Sequence, residues 1–241
     1  MASSWACGSE PAAEEDSALD VDELRTATRT PEGGFTVYGA AIGSCTTAAV
    51  AGLSEQLIAE MNCMNPGEMQ RIDAIDGVSL NDAVFPYLQS VAASALRKAA
   101  LKKPGLQVNS ALRALPQQYM LYRWSLRRRC GVERAATPGT SQHESGLAVD
   151  LQNWSPMRST MEQSDYDWFG YSDNVHFTFK GQGASDIKGE SILAFVRLWN
   201  RNHPTDKLPA DLQSYTNALA LRLMKAPANG FAEGPMCEPA L

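Results

Sequence analysis

The sequence predicts an α+β fold, with a small antiparallel sheet packed with helices and a short helical domain at the C-terminus. Three observations carry this. Two segments, Leu147 to Leu151 and Val175 to Phe179, alternate apolar and polar residues at strand period. Longer stretches before them place apolar residues at helical spacing. After a glycine-containing break at Gly181 and Gly183, the pattern is helical again to the end of the periodic sequence.

Taken in chain order, residues 1–33 are polar, acidic and poor in large apolar groups. They cannot bury enough surface to offset the entropy of ordering, so they read as a tail or tether. From Cys45 onward, Val50, Leu53, Leu57, Ile58 and Met61 share one helical face, and Asn65-Pro66-Gly67 stops the helix. A second helix is expected over Pro86 to Ala100, ended by Pro104-Gly105, with a short strand at Leu106 and Val108. A third helix runs from about Pro116 to Arg129, with Pro116 early, where its missing N–H costs nothing.

The two alternating segments then supply strands. Leu147, Val149 and Leu151 face one way and Asp150 the other; Val175, Phe177 and Phe179 face one way and His176 the other. On a half-exposed antiparallel sheet both polar residues are presented toward a cleft. Gly181, Gly183 and Ser185 read as a linker. Beyond it Ile192, Phe195, Val196 and Trp199 mark one helix and Leu212 to Met224 another, ended by Pro227 and Gly230. The expected organisation is a tail over 1–33, a main domain over 34–182, a helical unit over 183–233 that leans on it, and a tail over 234–241.

Composition narrows the function classes. With 241 residues and 44% hydrophobic content the chain can bury a core, and no apolar run approaches the roughly 20 residues of a membrane-spanning helix. A net charge of −6 argues against nucleic acid, and the basic cluster Arg123 to Arg129 reads as a solvated helix face. The five cysteines form no C-x-x-C pair. Because Cys7 and Cys237 fall in expected tails, any disulfide is expected among Cys45, Cys63 and Cys130, with no choice between them. Ala6-Cys7-Gly8, followed by an acidic tether, resembles the mature start of a bacterial lipoprotein, which would place a lipid anchor on Cys7.

The candidate chemistry lies in "TSQHESGLAVDLQNW", Thr140 to Trp154. A catalytic zinc site uses three protein ligands and keeps a fourth position open. His143, Asp150 and His176 supply such a set, and two of the chain's three histidines stand on or beside strand-like segments. Spacing alone leaves open whether these are ligands or chance neighbours. Glu144 is expected at the surface and His203 at a solvated helix end. Trp168 and Tyr171 are cleft candidates, while Trp154 and Phe169 are expected to pack the core.

Ser141 to Asp150 fits an S-x-H-x-x-G-x-A-x-D pattern, Asp173 precedes His176 by three residues, and Ser110 to Arg113 reads S-x-x-R with Gln118 soon after. These elements resemble the zinc D-Ala-D-Ala carboxypeptidases and dipeptidases, relatives of the vancomycin-resistance D,D-peptidases and phage endolysin peptidases. The resemblance spans about Ser110 to Phe179. It implies that His143, Asp150 and His176 bind Zn²⁺ and that Asp173 is the general base. Arg113 would contact the substrate carboxylate or developing oxyanion, and Ser141 and Gln118 would contact substrate or support the ligands. It further implies peptidoglycan stem peptides as substrate and the bacterial cell envelope as location. D-Ala-D-Ala carboxypeptidase activity is the first expectation; an endopeptidase of D,D- or L-Ala-D-Glu type and a non-catalytic wall-binding protein are the alternatives. The C-terminal segment resembles, in degenerate form, the three-helix peptidoglycan-binding domain of cell-wall hydrolases.

Overall fold

The structure is a computed structural model that describes residues 28–237. The expected lipid anchor Cys7 and most of the expected N-terminal tail lie outside the described residues. The fold nevertheless begins before residue 34: Thr30 N–H donates to Gly34 O at 2.8 Å, Arg29 pairs in a bridge with Phe35, and the Arg29 guanidinium lies 4.0 Å from the Phe35 ring centre.

Among the described residues the α+β architecture consists of seven α-helices, a two-stranded antiparallel sheet and a five-stranded mixed sheet. In chain order these are α1 (Val37–Gly43), α2 (Ala51–Met64), β1 (Met69–Arg71), β2 (Val78–Leu80), β3 (Tyr87–Gln89), α3 (Ser90–Lys102), β4 (Leu106–Ser110), α4 (Leu115–Arg127), β5 (Ala148–Leu151), α5 (Trp154–Glu162), β6 (Tyr166–Trp168), β7 (His176–Phe179), α6 (Glu190–Asn202) and α7 (Asn217–Lys225). The large sheet has the order β2-β4-β5-β7-β6, with β2 and β4 parallel and the remaining pairs antiparallel. No helix among the described residues is long and apolar enough to cross a membrane.

Two hydrophobic clusters divide the interior. One lies under the sheet and gathers Leu106, Val108, Val149, Leu151, Phe177 and Phe179 against α3 and α5 through Leu96, Ala99, Met157 and Met161. The other joins Leu53, Leu57 and Met61 of α2, Tyr119 and Trp124 of α4, Ile192, Phe195 and Trp199 of α6 and Leu219, Leu223 and Met224 of α7. The C-terminal helices therefore share a core with the N-terminal ones. The stretch expected as a linker is tied down as well: buried Gln89 donates to the carbonyls of Ser145 and Ser185 and accepts from Ser185 N–H at 3.0 Å.

Several local expectations are corrected. The helix expected over Pro86 to Ala100 begins at Ser90, because Tyr87–Gln89 pairs with Met69–Arg71 as β3 on β1. Three-residue strands are too short to leave a periodic trace. Cys45 pairs with Cys130, within the expected set, but Cys63 pairs with Cys237, which lies in an expected tail. Residues 233–236 are held on α2 and α6: Glu233 N–H donates to Asn202 Oδ1, Arg201 donates to Gly234 O, and Met236 N–H donates to the buried Glu60 carboxylate. Arg123 is not on a solvated face. It is buried on the α1 side of α4, with its guanidinium 5.3 Å from the Tyr38 ring centre.

Candidate metal centre

The sheet register builds two thirds of the site. β5 and β7 run antiparallel with Asp150 directly opposite His176, so the period of two puts both polar side chains on the same face while Val149 and Phe177 enter the core. His143 arrives from the turn that leads into β5. Inside that turn Glu144 is fully buried, against the expectation of a surface residue. Its carboxylate accepts Gly139 N–H at 2.9 Å and Ser141 N–H at 3.1 Å. Burial pushes the Glu144 carboxyl up to about 7, against these N–H groups, which pull it down.

Gly146 closes the turn at φ +63°, where a Cβ would meet Met69 Sδ at 3.0 Å and Gln89 N at 3.1 Å. Only glycine satisfies both the left-handed backbone and the close approach. His143 O accepts both Gly146 N–H at 3.0 Å and Arg113 N–H at 3.1 Å, which fixes the ligand's backbone from two sides.

Three atoms converge. His143 Nε2 lies 3.2 Å from Asp150 Oδ1 and 3.2 Å from His176 Nδ1, and His176 Nδ1 lies 3.0 Å from Asp150 Oδ1. Bonds of about 2.0–2.1 Å to a tetrahedral Zn²⁺ require ligand–ligand edges of about 3.3–3.4 Å, so this triangle is close to one face of such a site. The tautomers agree. His143 Nδ1 lies 2.8 Å from Ala111 O, which only accepts, so Nδ1 carries the hydrogen and Nε2 turns its lone pair inward. His176 Nε2 meets Thr178 Oγ1 at 3.0 Å, and donation there leaves the Nδ1 lone pair facing the same point.

The electrostatics favour a metal over a proton. Burial, followed by the charge of Arg113, lowers the His143 pKa to about 4, so the ring is neutral at pH 7. Burial works against the Asp150 carboxylate, yet its pKa lies well below the ordinary range, and with both rings neutral the Arg113 guanidinium is the neighbouring charge that keeps it ionised. Three inward lone pairs without a shared proton repel one another unless a cation lies among them. Oxygen and imidazole donors of this kind suit zinc and similar divalent ions.

Arg113 is tied into this arrangement: its Nη2 donates to Asp150 Oδ2 at 2.7 Å and its Nε to Ser110 Oγ at 2.9 Å. A cleft of about 700 Å³ opens over the triad, lined among others by Arg113, Ser141, His143, Asp150, Phe169, Asp173 and His176. Asp173 enters from the single helical turn Tyr171–Asp173. Partial burial and the charge of Asp150 raise its pKa, the direction that favours a proton acceptor working nearer neutrality.

Residues 81–180, which contain the donor triad, Arg113 and Asp173, match the VanY family model, D-alanyl-D-alanine carboxypeptidase. Over these residues the chain is similar to the D-alanyl-D-alanine carboxypeptidase family. No curated protein and no solved structure matches the chain significantly. The matched segment runs from just after β2 to just after β7 and so includes every donor of the possible metal site.

The remaining sequence candidates are placed as follows. Ser141 lines the cleft, and its Oγ accepts His143 N–H at 3.3 Å. Gln118 is fully buried, outside the cleft lining, and donates to Ala136 O at 2.7 Å. Trp168 and Tyr171 also stand outside the lining: Trp168 is stacked on Trp154 with the Arg158 guanidinium 3.9 Å from its ring centre, and Tyr171 projects into solvent. Phe169, expected in the core, is 62% exposed and borders the cleft beside His176. Sequence reasoning missed Ala111 O, Thr178 and the loop carrying Arg134. Of these, only Thr178 left a signal, sharing the polar side of β7 with His176.

Proposed function

We propose that the protein is a zinc-dependent peptidase of the bacterial cell envelope that removes the terminal D-alanine from peptidoglycan stem peptides. The observation that supports this best is the convergence of three inward lone pairs, from His143, Asp150 and His176, on the floor of a cleft that also holds Asp173. Those three residues would hold the metal, which when bound supplies a Lewis acid and lowers the pKa of a coordinated water toward 7. The chain's own groups do the rest. The Asp173 carboxylate takes the proton from the attacking water and hands it to the departing amine, one carboxyl serving both transfers. Arg113, anchored by Asp150 and Ser110, carries fixed positive charge to the side of the cleft where the scissile carbonyl oxygen gathers negative charge. The disulfides Cys45–Cys130 and Cys63–Cys237 support an oxidising compartment such as the envelope.

The test is mass spectrometry of a defined pentapeptide muropeptide after incubation with protein supplied with zinc, alongside metal analysis. Loss of one alanine, abolished together with metal uptake in His176→Ala, is expected. Cleavage within the stem would assign an endopeptidase instead, and alanine release that survives His176→Ala would rule out the mechanism.

A further inference from the structure

A peptidase that trims the end of a chain has to recognise a free carboxylate, and the cleft holds only two fixed cations for that purpose. Among the described residues lining it, Arg113 and Arg134 are the arginines and no lysine is present. Arg113 is committed: Nη2 lies on Asp150 Oδ2 at 2.7 Å, Nε on Ser110 Oγ at 2.9 Å, and its charge holds a metal donor ionised. Turning it toward substrate would release Asp150 from the geometry that the donor triangle requires.

Arg134 stands on the opposite terms. It is exposed on the wall formed by Gly131 to Ala136 and forms no salt bridge among the described residues, although Glu133 lines the same wall. It is close enough to Asp173 for its charge to favour the ionised carboxyl there. The wall itself is held at both ends. Cys130, just before it, is bonded to Cys45, and Ala136, at its end, accepts the amide hydrogen of buried Gln118. Val132 packs against the helical core between these anchors, so the cation is presented from a braced loop and not from a free one.

Resting on the carboxypeptidase reading above, we propose that Arg134 is the specificity-determining residue that receives the substrate's C-terminal carboxylate. A guanidinium can meet a carboxylate through two parallel N–H donors, a geometry that an amide or an internal peptide bond does not offer. Gln118 braces the same loop through its hydrogen bond to the carbonyl of Ala136.

The test compares an N-acetylated stem peptide ending in D-Ala-D-Ala with its C-terminal amide. Binding is measured by calorimetry on full-length, zinc-supplied protein carrying Asp173→Asn so that peptide is not consumed. With Arg134 present, the acid is expected to bind about tenfold or more tightly than the amide. In Arg134→Gln the acid-to-amide ratio falls to about one, and Arg134→Lys restores part of it. An unchanged ratio in Arg134→Gln overturns the assignment. Hydrolysis by protein with Asp173 intact is followed in parallel. Absence of D-alanine release with the ratio preserved would overturn the functional reading and leave the carboxylate site standing.

Discussion

His176 is aimed by Thr178, two residues further along β7, through a 3.0 Å contact from Nε2 to a hydroxyl that is itself buried. Replacing Thr178 with valine keeps the shape, removes the acceptor and frees the ring to rotate. Metal affinity is expected to fall about 10- to 100-fold, as for other groups that orient a ligand from behind. Competition against a chelator measures it, with an unchanged circular dichroism spectrum as the control. The donors themselves were legible in the sequence because each is a side chain within a spaced motif. The groups that aim them were largely not. Ala111 contributes a backbone carbonyl, which no residue type marks, and the Glu144 carboxylate serves two backbone N–H groups whose positions only the folded turn sets. The surroundings of Trp168 are illegible for a related reason: alternation shows which side of a strand an aromatic occupies, while the stacking of Trp154 and Arg158 on it depends on where α5 packs.

At the level of elements, β5 and β7 were readable because four-residue strands with one buried face alternate visibly, and their pairing sets Asp150 against His176. β1 and β3 were not, since three residues cannot display a period and Tyr87–Gln89 runs straight into a strong helix. Gly146 couples the two kinds of element. Its turn delivers His143 to β5, and its Cα side lies against Met69 of β1 and Gln89 of β3. Gly146→Ala forces a left-handed alanine, at about 1–2 kcal/mol, and adds a contact with the Gln89 backbone that cannot yield as easily as the Met69 side chain. The variant is expected to unfold at least about 1–2 kcal/mol more easily in urea. It should also bind metal more weakly than wild type, because relief of the contact moves the turn that carries His143. Stability loss with full metal affinity would show that the turn can shift without disturbing the donor.

Over the whole molecule the two disulfides tie distant parts of the chain to the helical layer and serve different ends. Cys63–Cys237 closes 174 residues and fastens the last described segment to α2, outside the cleft lining. Cys45–Cys130 closes 85 residues and ends at the base of the wall that carries Arg134. Chain entropy alone makes each worth about 5 kcal/mol, slightly more for the longer loop, and removal of a native disulfide typically costs about 2–5 kcal/mol. The loops overlap in sequence, so their effects are not expected to add. The double variant Cys63→Ser, Cys237→Ser should therefore lower the thermal midpoint by several degrees while acid-over-amide peptide preference and metal affinity stay at wild-type values. Cys45→Ser with Cys130→Ser should lower the midpoint and also reduce that preference, because the loop loses its covalent anchor and keeps the Val132 packing and the Gln118 contact at its end. Thermal melts paired with the peptide titrations separate the two cases. Equal loss of preference in both pairs would mean that the loop is held by overall stability and not by its own bracing.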